Sequence, residues 1–460
     1  MIKPIVLWSD IFIFLLVLGL VGLFTYLKPS SETQANWRKV FESRLGCCSF
    51  MILCLYIFIA LLDSLHFQKP LPSTTESSQV FYSNEVLSIL DLIHVGMLNK
   101  EEKTYSAPFS IYSYSKENMF SDSGQLYRDF PRLMHGGSHL RDDSERMKDI
   151  VSKTLFALFK GIIVSSVLIG SILLIRRTYF YGTFLPVNSA CLLLGIIVTG
   201  WIWVVELGAY YHILGTNKVG ADVLYQAIKS IRTGILLGTL AALFAVPFAI
   251  AFGISAGYFK GKVDDAIQYL YTTLSSIPDI LLIAAAVLVI DVYIENHTDQ
   301  FNLLIYRADF KFLALCAIFG LTSWTGLCRL LRAETLKVSQ LDYVNAARAF
   351  GVSHTGVITR HILPNVMHLV IISTVLNFSG FVLAESVLAY IGVGVDASMS
   401  SWGNMINSAR QELSRDPAVW WSILSAFVFM FILVLSANLF SDKVRDAFDP
   451  RGLRRMRLDL

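Results

Sequence analysis

A series of apolar runs, each about as long as a bilayer is thick, most constrains what this chain can fold into. A helix needs about 20 mostly apolar residues to cross the hydrocarbon core of a membrane. Of the 460 residues, 54% are hydrophobic and only 16% are charged, whereas soluble proteins carry about 25% charged residues. The chain is therefore predicted to be an all-α, polytopic membrane protein. We predict nine spans, at about residues 8–27, 47–66, 154–175, 189–208, 233–257, 270–290, 312–331, 367–389 and 419–440.

The basic residues predict the orientation of these spans. Lys and Arg concentrate in short cytoplasmic loops of membrane proteins. With nine spans, the basic connections all fall on one side, namely 28–46, 176–188, 258–269, 332–366 and the C-terminal tail. We therefore expect the N-terminus outside and the C-terminus in the cytoplasm. Residues 1–27 are expected to remain as an uncleaved span, because cleavage would leave the basic segment that follows on the outside.

The main polar segment, residues 67–151, is predicted to lie outside. Its length and scattered aromatic residues favour a small folded cap, but a loose loop fits the residues as well. The six cysteines all lie in or beside apolar runs. A disulfide framework is therefore not expected.

A short polar stretch beginning at Tyr343 and reading YVNAARAFGVSHTGVITRHILPN interrupts the apolar runs. Ser339 can cap a first short helix, with Asp342 three residues on as in a capping box. Helical spacing then separates Leu341, Val344, Ala347 and Gly351. Several alanines in this run favour a helix, and their small side chains leave its surface open to close approach.

The second half of the stretch predicts a turn and another short helix. Gly351 is suited to end the first helix in the left-handed conformation. Ser353 can cap the second helix, and Pro364 can end it or begin the next span. From the residues alone, the resulting cytoplasmic hairpin is either a connector lying on lipid headgroups or a surface that another protein approaches closely.

The sequence of this hairpin resembles the "EAA" loop of ABC-importer permeases. That family has Glu-Ala-Ala, three residues, Gly, a spacer and Leu-Pro. Asn345 stands where the family usually has Glu, and this departure weakens the transfer of any salt bridge to that position. The remaining matching residues are Ala346, Ala347, Gly351, Leu363 and Pro364.

Further stretches are similar to the dipeptide, oligopeptide and nickel permease group. They are ILGTNKVGADVL, GYFKGKVDDAI, LAESVLAYIGVG, SWGNMI and DAFDPRG, and they cover about residues 211–453 in the order of that group. The resemblance implies a type I ABC-importer transmembrane core, belonging to the second permease of a peptide-type importer. The expected localisation is the inner membrane of a bacterial cell.

The resemblance also implies partners. The hairpin would be the coupling helix that docks on separate cytoplasmic ATPase subunits, which use ATP and Mg. The sequence has no phosphate-cradling G-x-x-x-x-G-K-[ST] motif, so the chain is expected to be non-catalytic and to bind no cofactor directly. A second permease subunit, an extracytoplasmic solute-binding protein and membrane lipid are the other expected partners, without nucleic acid.

Peptides are the default cargo of the group, with nickel or a peptide-like antibiotic as alternatives. An ion-coupled secondary transporter and a membrane scaffold are rival functions from other classes. The hairpin argues against the first, and only the additional spans point to the second.

The predicted organisation has five parts. Residues 1–66 hold an extra span and a family-like first span. Residues 67–151 are the extracytoplasmic insert, and 152–210 are an additional pair of spans. Residues 211–445 form the permease core, and 446–460 form a basic cytoplasmic tail.

Ionisable or helix-breaking residues inside spans are candidates for the translocation path. Pro278 interrupts the helix ladder beside Asp279, and such a break can line a cavity. Glu385 lies in a family-like element and is a further path candidate, or a buried hydrogen-bonding group. Glu206 is expected to reach the membrane interface. The MHGGSH motif at 134–139 is not expected to hold a metal, because its glycines disfavour a helix and a third ligand is lacking.

Overall fold

The computed structural model describes residues 3–26, 31–70, 82–98, 100–120, 126–140, 142–179, 186–301 and 303–448. Helices dominate these residues, which confirms the all-α membrane class. They are α1 (Trp8–Tyr26), α2 (Ser31–Glu42), α3 (Arg44–Asp63), α4 (Ile89–Ile93), α5 (Val95–Leu98), α6 (Arg146–Tyr179), α7 (Val187–Gly208), α8 (Val223–Phe259), α9 (Gly261–Ser275), α10 (Asp279–Asn296), α11 (Leu304–Val338), α12 (Asp342–Ala349), α13 (His354–Val357), α14 (Leu363–Ile391), α15 (Trp402–Ala409) and α16 (Trp421–Phe448). The short strands are β1 (Lys3–Ile5), β2 (His66–Pro70), β3 (Tyr82–Ser88), β4 (Glu117–Phe120) and β5 (Leu126–Asp129).

Six of the described helices are long and apolar enough to cross a membrane: α3, α6, α7, α8, α14 with the short turns before it, and α16. Helices α9 and α10 reach this length only together, and they are bent by 83° at the break between them. The predicted break at Pro278 is confirmed, and the span predicted at 270–290 stays a prediction, because the bent pair is either a broken span or a re-entrant loop. Pro278 immediately precedes α10, where its missing N–H costs the helix no hydrogen bond. The remaining predicted spans coincide with α1 and α11, and the count of nine stays a prediction.

The chain divides into two compact units. Unit one comprises Met1–Val6, Phe41–Thr233 and Ser400–Ile432. Unit two comprises Leu7–Val40, Gly234–Met399 and Leu433–Leu460. The polar segment 67–151 belongs to unit one, and the predicted hairpin belongs to unit two.

The described part of the polar segment is folded, so the loose-loop alternative does not hold for it. Strands β1, β2 and β3 form an antiparallel sheet in that order, and β4 pairs with β5. Ser88 and Asp91 form a capping box that starts α4. The Asp91 carboxylate also accepts two hydrogen bonds of 2.9 Å from Lys229 of α8. This ion pair, in which the carboxylate is buried and the ammonium group partly exposed, joins the segment to α8 within unit one.

A buried charge cluster provides a second link between the polar segment and the core. Nδ1 of His212 is hydrogen-bonded to the Asp222 carboxylate at 2.8 Å, and Nε2 of His212 lies 3.5 Å from the Glu102 carboxylate. Glu102 accepts hydrogen bonds from three successive backbone N–H groups of the MHGGSH motif, at 2.8 to 3.0 Å. The three side chains are almost fully buried.

The cluster predicts how stability of this region depends on pH. Burial by itself would lower the pKa of His212, but Asp222 and Glu102 raise it to about 9. Burial would raise the pKa of Glu102, but His212 and the backbone N–H groups lower it to about 2. The stability that charged His212 contributes is fully present below its ordinary pKa of 6.5, and it is lost as the pH rises through about 9. The stability that ionised Glu102 contributes is fully present above its ordinary pKa of 4.5, and it is lost as the pH falls towards 2.

The additional helix pair α6 and α7 carries an ion pair between Lys160 and Glu206. Glu206 therefore pairs with a neighbouring helix, and its position at the membrane interface stays a prediction. A charged group in an apolar span is costly unless it is paired, which explains why both residues occur at facing positions. A 3.4 Å hydrogen bond from Trp203 to Thr154 also joins the two helices.

Candidate coupling hairpin

The predicted hairpin consists of α12, a left-handed turn, α13 and a π-helical turn over residues 358–362 that leads into α14. Gly351 has φ +78°, which confirms the predicted left-handed terminator. Its N–H donates to Arg348 O at 3.0 Å, and the N–H of Val352 donates to Ala347 O at 3.1 Å. This is the hydrogen-bond pattern of a Schellman motif.

The predicted caps are partly confirmed. The Ser353 hydroxyl accepts from Gly356 N at 3.3 Å and begins α13, and Pro364 lies in the first turn of α14. The prediction that Ser339 caps the first helix is wrong. Helix α11 continues to Val338, so Ser339 ends that helix and donates its hydroxyl hydrogen to Leu336 O. Helix α12 begins after Leu341 without a side-chain cap.

Three fully buried aliphatic side chains, Val344, Val357 and Ile362, hold the hairpin. They belong to one apolar cluster with residues of α8, α11 and α14, among them Ile254, Trp324, Leu331, Val366 and Val370. Burying a Val or Ile side chain contributes about 1.5–3 kcal/mol, so the three anchors fix both arms firmly on these helices.

Tyr258, near the end of α8, contacts both arms of the hairpin. The Arg348 guanidinium of α12 lies 4.3 Å from the centre of the Tyr258 ring. The Tyr258 hydroxyl is 2.9 Å from Nδ1 of His354 in α13. Tyr258 is itself almost fully buried. Movement of either arm therefore acts directly on the end of α8.

The neighbouring Gly257 explains how α8 approaches α11 so closely. A Cβ atom at this position would lie 2.7 Å from the Thr335 Cβ and 2.8 Å from the Arg332 carbonyl oxygen. Arg332 in turn donates to both oxygens of Asp264 in α9, at 2.5 and 2.7 Å. The GYFKGKVDDAI stretch thus packs the helices on which the hairpin rests.

The exposed surface at the end of the first arm includes an aromatic side chain beside small ones. Phe350, at the turn, has 87% of its surface exposed. Ala346 and Ala349 are exposed beside it, whereas Ala347 is half-buried and packs against the apolar cluster. Leu341 and Tyr343 are further exposed apolar side chains on the first arm. A projecting aromatic side chain among alanines allows another surface to approach closely.

Asn345 is exposed and donates a 3.2 Å hydrogen bond to Gln340 O. A glutamate at this position could not donate that bond. The structure therefore gives Asn345 a local role in closing the turn before α12.

The other predicted site residues lie elsewhere. Pro278 and Asp279 are exposed at the start of α10, and Glu385 is buried in α14. Their role on the translocation path stays a prediction. In the MHGGSH motif, His139 contacts Asp149 at 2.8 Å. Among the described residues, His, Cys, Asp and Glu form no group of three that could hold a metal ion.

Comparison with known proteins decides the family. Residues 249–453 match the family described as binding-protein-dependent transport system inner membrane component. The oligopeptide transport system permease protein OppC of Haemophilus influenzae is 31% identical over 241 residues, which are 52% of this chain and 71% of that protein. OppC of Escherichia coli is 32% identical over 240 residues, or 52% of this chain and 72% of that protein.

This chain belongs to that family of transport permeases. The dipeptide transport system permease protein DppC of Bacillus subtilis is similar too, at 25% identity over 244 residues, or 53% of this chain and 70% of that protein. The resemblance inferred from the motifs is thereby confirmed, as is the assignment to the inner membrane. The matched region of the permease includes the complete hairpin and Tyr258.

Two residues of this site, Phe350 and Tyr258, were not among the predicted site residues. Phe350 lies within the quoted NAARAFG motif, but the sequence does not say that its side chain projects. Tyr258 lies in the quoted GYF motif, about 90 residues from the hairpin that it contacts. Only the folded chain brings these segments together.

Proposed function

We propose that this permease is a subunit of an ATP-driven peptide importer. The curated relatives are named as oligopeptide and dipeptide transport permeases, and the chain carries the ordered motifs of that group. A second permease completes the translocation pathway, and a solute-binding protein delivers the peptide. Separate ATPase subunits bind ATP and Mg, and this chain itself catalyses no reaction.

The proposal rests mainly on one observation: Phe350 is exposed at the turn of the hairpin, while Val344, Val357 and Ile362 of the same hairpin are buried. Phe350 projects from a turn that is fixed by the αL conformation of Gly351. Large aromatic side chains in fully desolvated pockets dominate many protein interfaces. We assign Phe350 as the side chain that enters a groove on the ATPase, with Ala346 and Ala349 allowing close approach.

The contacts behind the tip supply the coupling. When the ATPase subunits close on ATP, they displace the hairpin. Since Val344 and Val357 are buried in the apolar cluster and Tyr258 contacts both arms, the displacement reaches the ends of α8 and α14. The spans then change between outward-facing and inward-facing arrangements, which is alternating access.

The proposal requires the hairpin to lie in the cytoplasm. The distribution of basic residues supports a cytoplasmic C-terminus on the same side and residues 67–151 on the other side. Reporter fusions at about residues 35, 182, 345 and 455 should report a cytoplasmic position. Fusions at about 100 and 215 should report the outside, and a cytoplasmic signal at 100 would contradict the orientation.

Site-specific photo-crosslinking tests the docking role directly. A benzophenone amino acid is placed at Phe350 in the complete complex with its partner permease, ATPases and binding protein. We expect an adduct with the ATPase whose yield changes when ATP is bound. The matched control is the same probe at Phe120, another highly exposed Phe in the segment predicted to lie outside, which should give no such adduct.

Cargo is tested in the same complex, reconstituted into vesicles. Labelled oligopeptides should accumulate only with ATP, Mg and the binding protein. Nickel uptake without peptide uptake would overturn the cargo assignment, and peptide uptake driven by an ion gradient without ATP would overturn the importer mechanism.

A further inference from the structure

The β4–β5 hairpin in the polar segment presents one face that no described residue covers. Its register pairs Asn118 with Arg128 and Phe120 with Leu126. Directly opposed residues of antiparallel strands share a face, and alternate residues along a strand do so as well. The tip between the strands, residues 121–125, lies outside the described part of the chain.

One face therefore carries Lys116, Asn118, Phe120, Leu126, Arg128 and Phe130. All six are exposed, with Phe120 at 75% and Leu126 at 61%. Lys116 lies 5.3 Å from the centre of the Phe130 ring, which confirms that the two side chains share this surface. The face combines three apolar side chains, two cations and no carboxylate.

The acidic residues lie on the opposite face. Glu117 and Asp129 are paired across the strands, next to the pair Met119 and Tyr127. Glu117 forms an ion pair with Lys103 at 3.4 Å. Charge is thus segregated between the two faces of the hairpin. On β4 the cationic face is also the more exposed of the two, whereas β5 is exposed on both faces.

The base of the hairpin lies beside the end of a membrane span. Tyr114, three residues before β4, packs edge-on against Trp421 with ring centres 4.9 Å apart, and its hydroxyl donates to Ala418 O. Trp421 is the first residue of α16, a candidate span. The neighbouring Trp420 is half exposed, as aromatic residues at membrane interfaces commonly are. Strands of four residues extend about 13 Å, so the face begins within reach of the headgroups.

We infer that this face binds the surface of the bilayer in which the permease is embedded, with Phe120, Leu126 and Phe130 entering the interface. Lys116 and Arg128 bind the phosphates of anionic phospholipids. Basic and aromatic side chains on one face are the chemistry that recognises such a surface. An isolated two-stranded sheet is only marginally stable in water, and contact with the headgroups covers its apolar side. The inference does not depend on the docking of the ATPase.

Photo-crosslinking of the full chain in the complete complex tests this inference. A benzophenone amino acid replaces Leu126 in vesicles that contain phosphatidylglycerol, and adducts are identified by mass. The matched control places the probe at Tyr127, the adjacent exposed residue on the opposite face. We expect at least fivefold more lipid adduct from position 126 than from 127. The yield at 126 should fall at least threefold in purely zwitterionic vesicles and in the double variant Lys116→Gln, Arg128→Gln.

Equal lipid adducts at 126 and 127, or none at 126, would overturn the inference. An adduct from position 126 to the solute-binding protein in place of lipid would also overturn it, and would assign the face to that partner. Because the probe leaves the cytoplasmic hairpin unchanged, ATP-dependent uptake by the same vesicles shows separately whether the proposed transport function holds.

Discussion

Replacing Gly351 tests whether the hairpin needs its left-handed turn. A Cβ atom at this position would meet nothing within 4 Å. The Cβ atom itself therefore meets no steric obstacle among the described residues, and the main expected effect of Gly351→Val is on the backbone. With φ at +78°, valine is strained, whereas asparagine tolerates the left-handed region much better.

The magnitude follows from the conformation. A left-handed residue other than glycine costs about 1–2 kcal/mol, and a β-branched residue costs the most. One or two kcal/mol corresponds to a factor of about 5–30 in an equilibrium. If the strain rearranges the turn that presents Phe350, the population of hairpin able to dock falls by about that factor. We expect Gly351→Val to reduce peptide uptake and peptide-stimulated ATP hydrolysis by about tenfold, and Gly351→Asn to reduce them by less than twofold.

The assay uses the complete complex in reconstituted vesicles, with equal amounts of inserted permease confirmed for each variant. Uptake of labelled peptide and ATP hydrolysis are both measured, because a coupling defect lowers the two together. Normal activity of Gly351→Val would refute the reasoning that the αL turn is required. Equal losses in both variants would show that bulk beyond Gly351 blocks docking, and would refute the backbone explanation.

Further variants probe the contacts around the hairpin and the buried charge cluster. Phe350→Ala should lower the affinity for the ATPase by at least tenfold in a binding assay, since aromatic anchors contribute about 2 kcal/mol or more; an unchanged affinity would remove Phe350 from the interface. Tyr258→Phe removes only the hydroxyl near His354 and should reduce the ratio of peptide transported to ATP hydrolysed by about two- to fivefold, whereas an unchanged ratio would limit Tyr258 to packing. His212→Gln should destabilise the permease by about 3–5 kcal/mol near neutral pH, because buried carboxylates lose their positive partner. Thermal unfolding in detergent should show the wild type losing stability as the pH rises through about 9 and the variant losing less, and parallel pH profiles would contradict this assignment.

Local signals in the sequence predicted much of the hairpin. A glycine after a helical run, a serine before the next helix and a proline at a helix start each act on the backbone within a few residues. Gly351, Ser353 and Pro364 accordingly occupy the predicted positions. The apolar runs likewise predicted helices, because a helix satisfies its own backbone hydrogen bonds in an apolar environment.

Tertiary structure decided what local signals could not. The role of Ser339 depended on how far α11 extends. Which face of α12 is exposed depended on which alanine packs against the apolar cluster. Tyr258 reaches residues about 90 positions away, and Lys160 finds Glu206 across a helix pair. Such contacts join segments that are distant in sequence. Which residues face each other is set by how whole helices pack together. The sequence by itself therefore determined the family, the helices and the turn, whereas the exposed Phe350 and the contacts behind it required the folded chain.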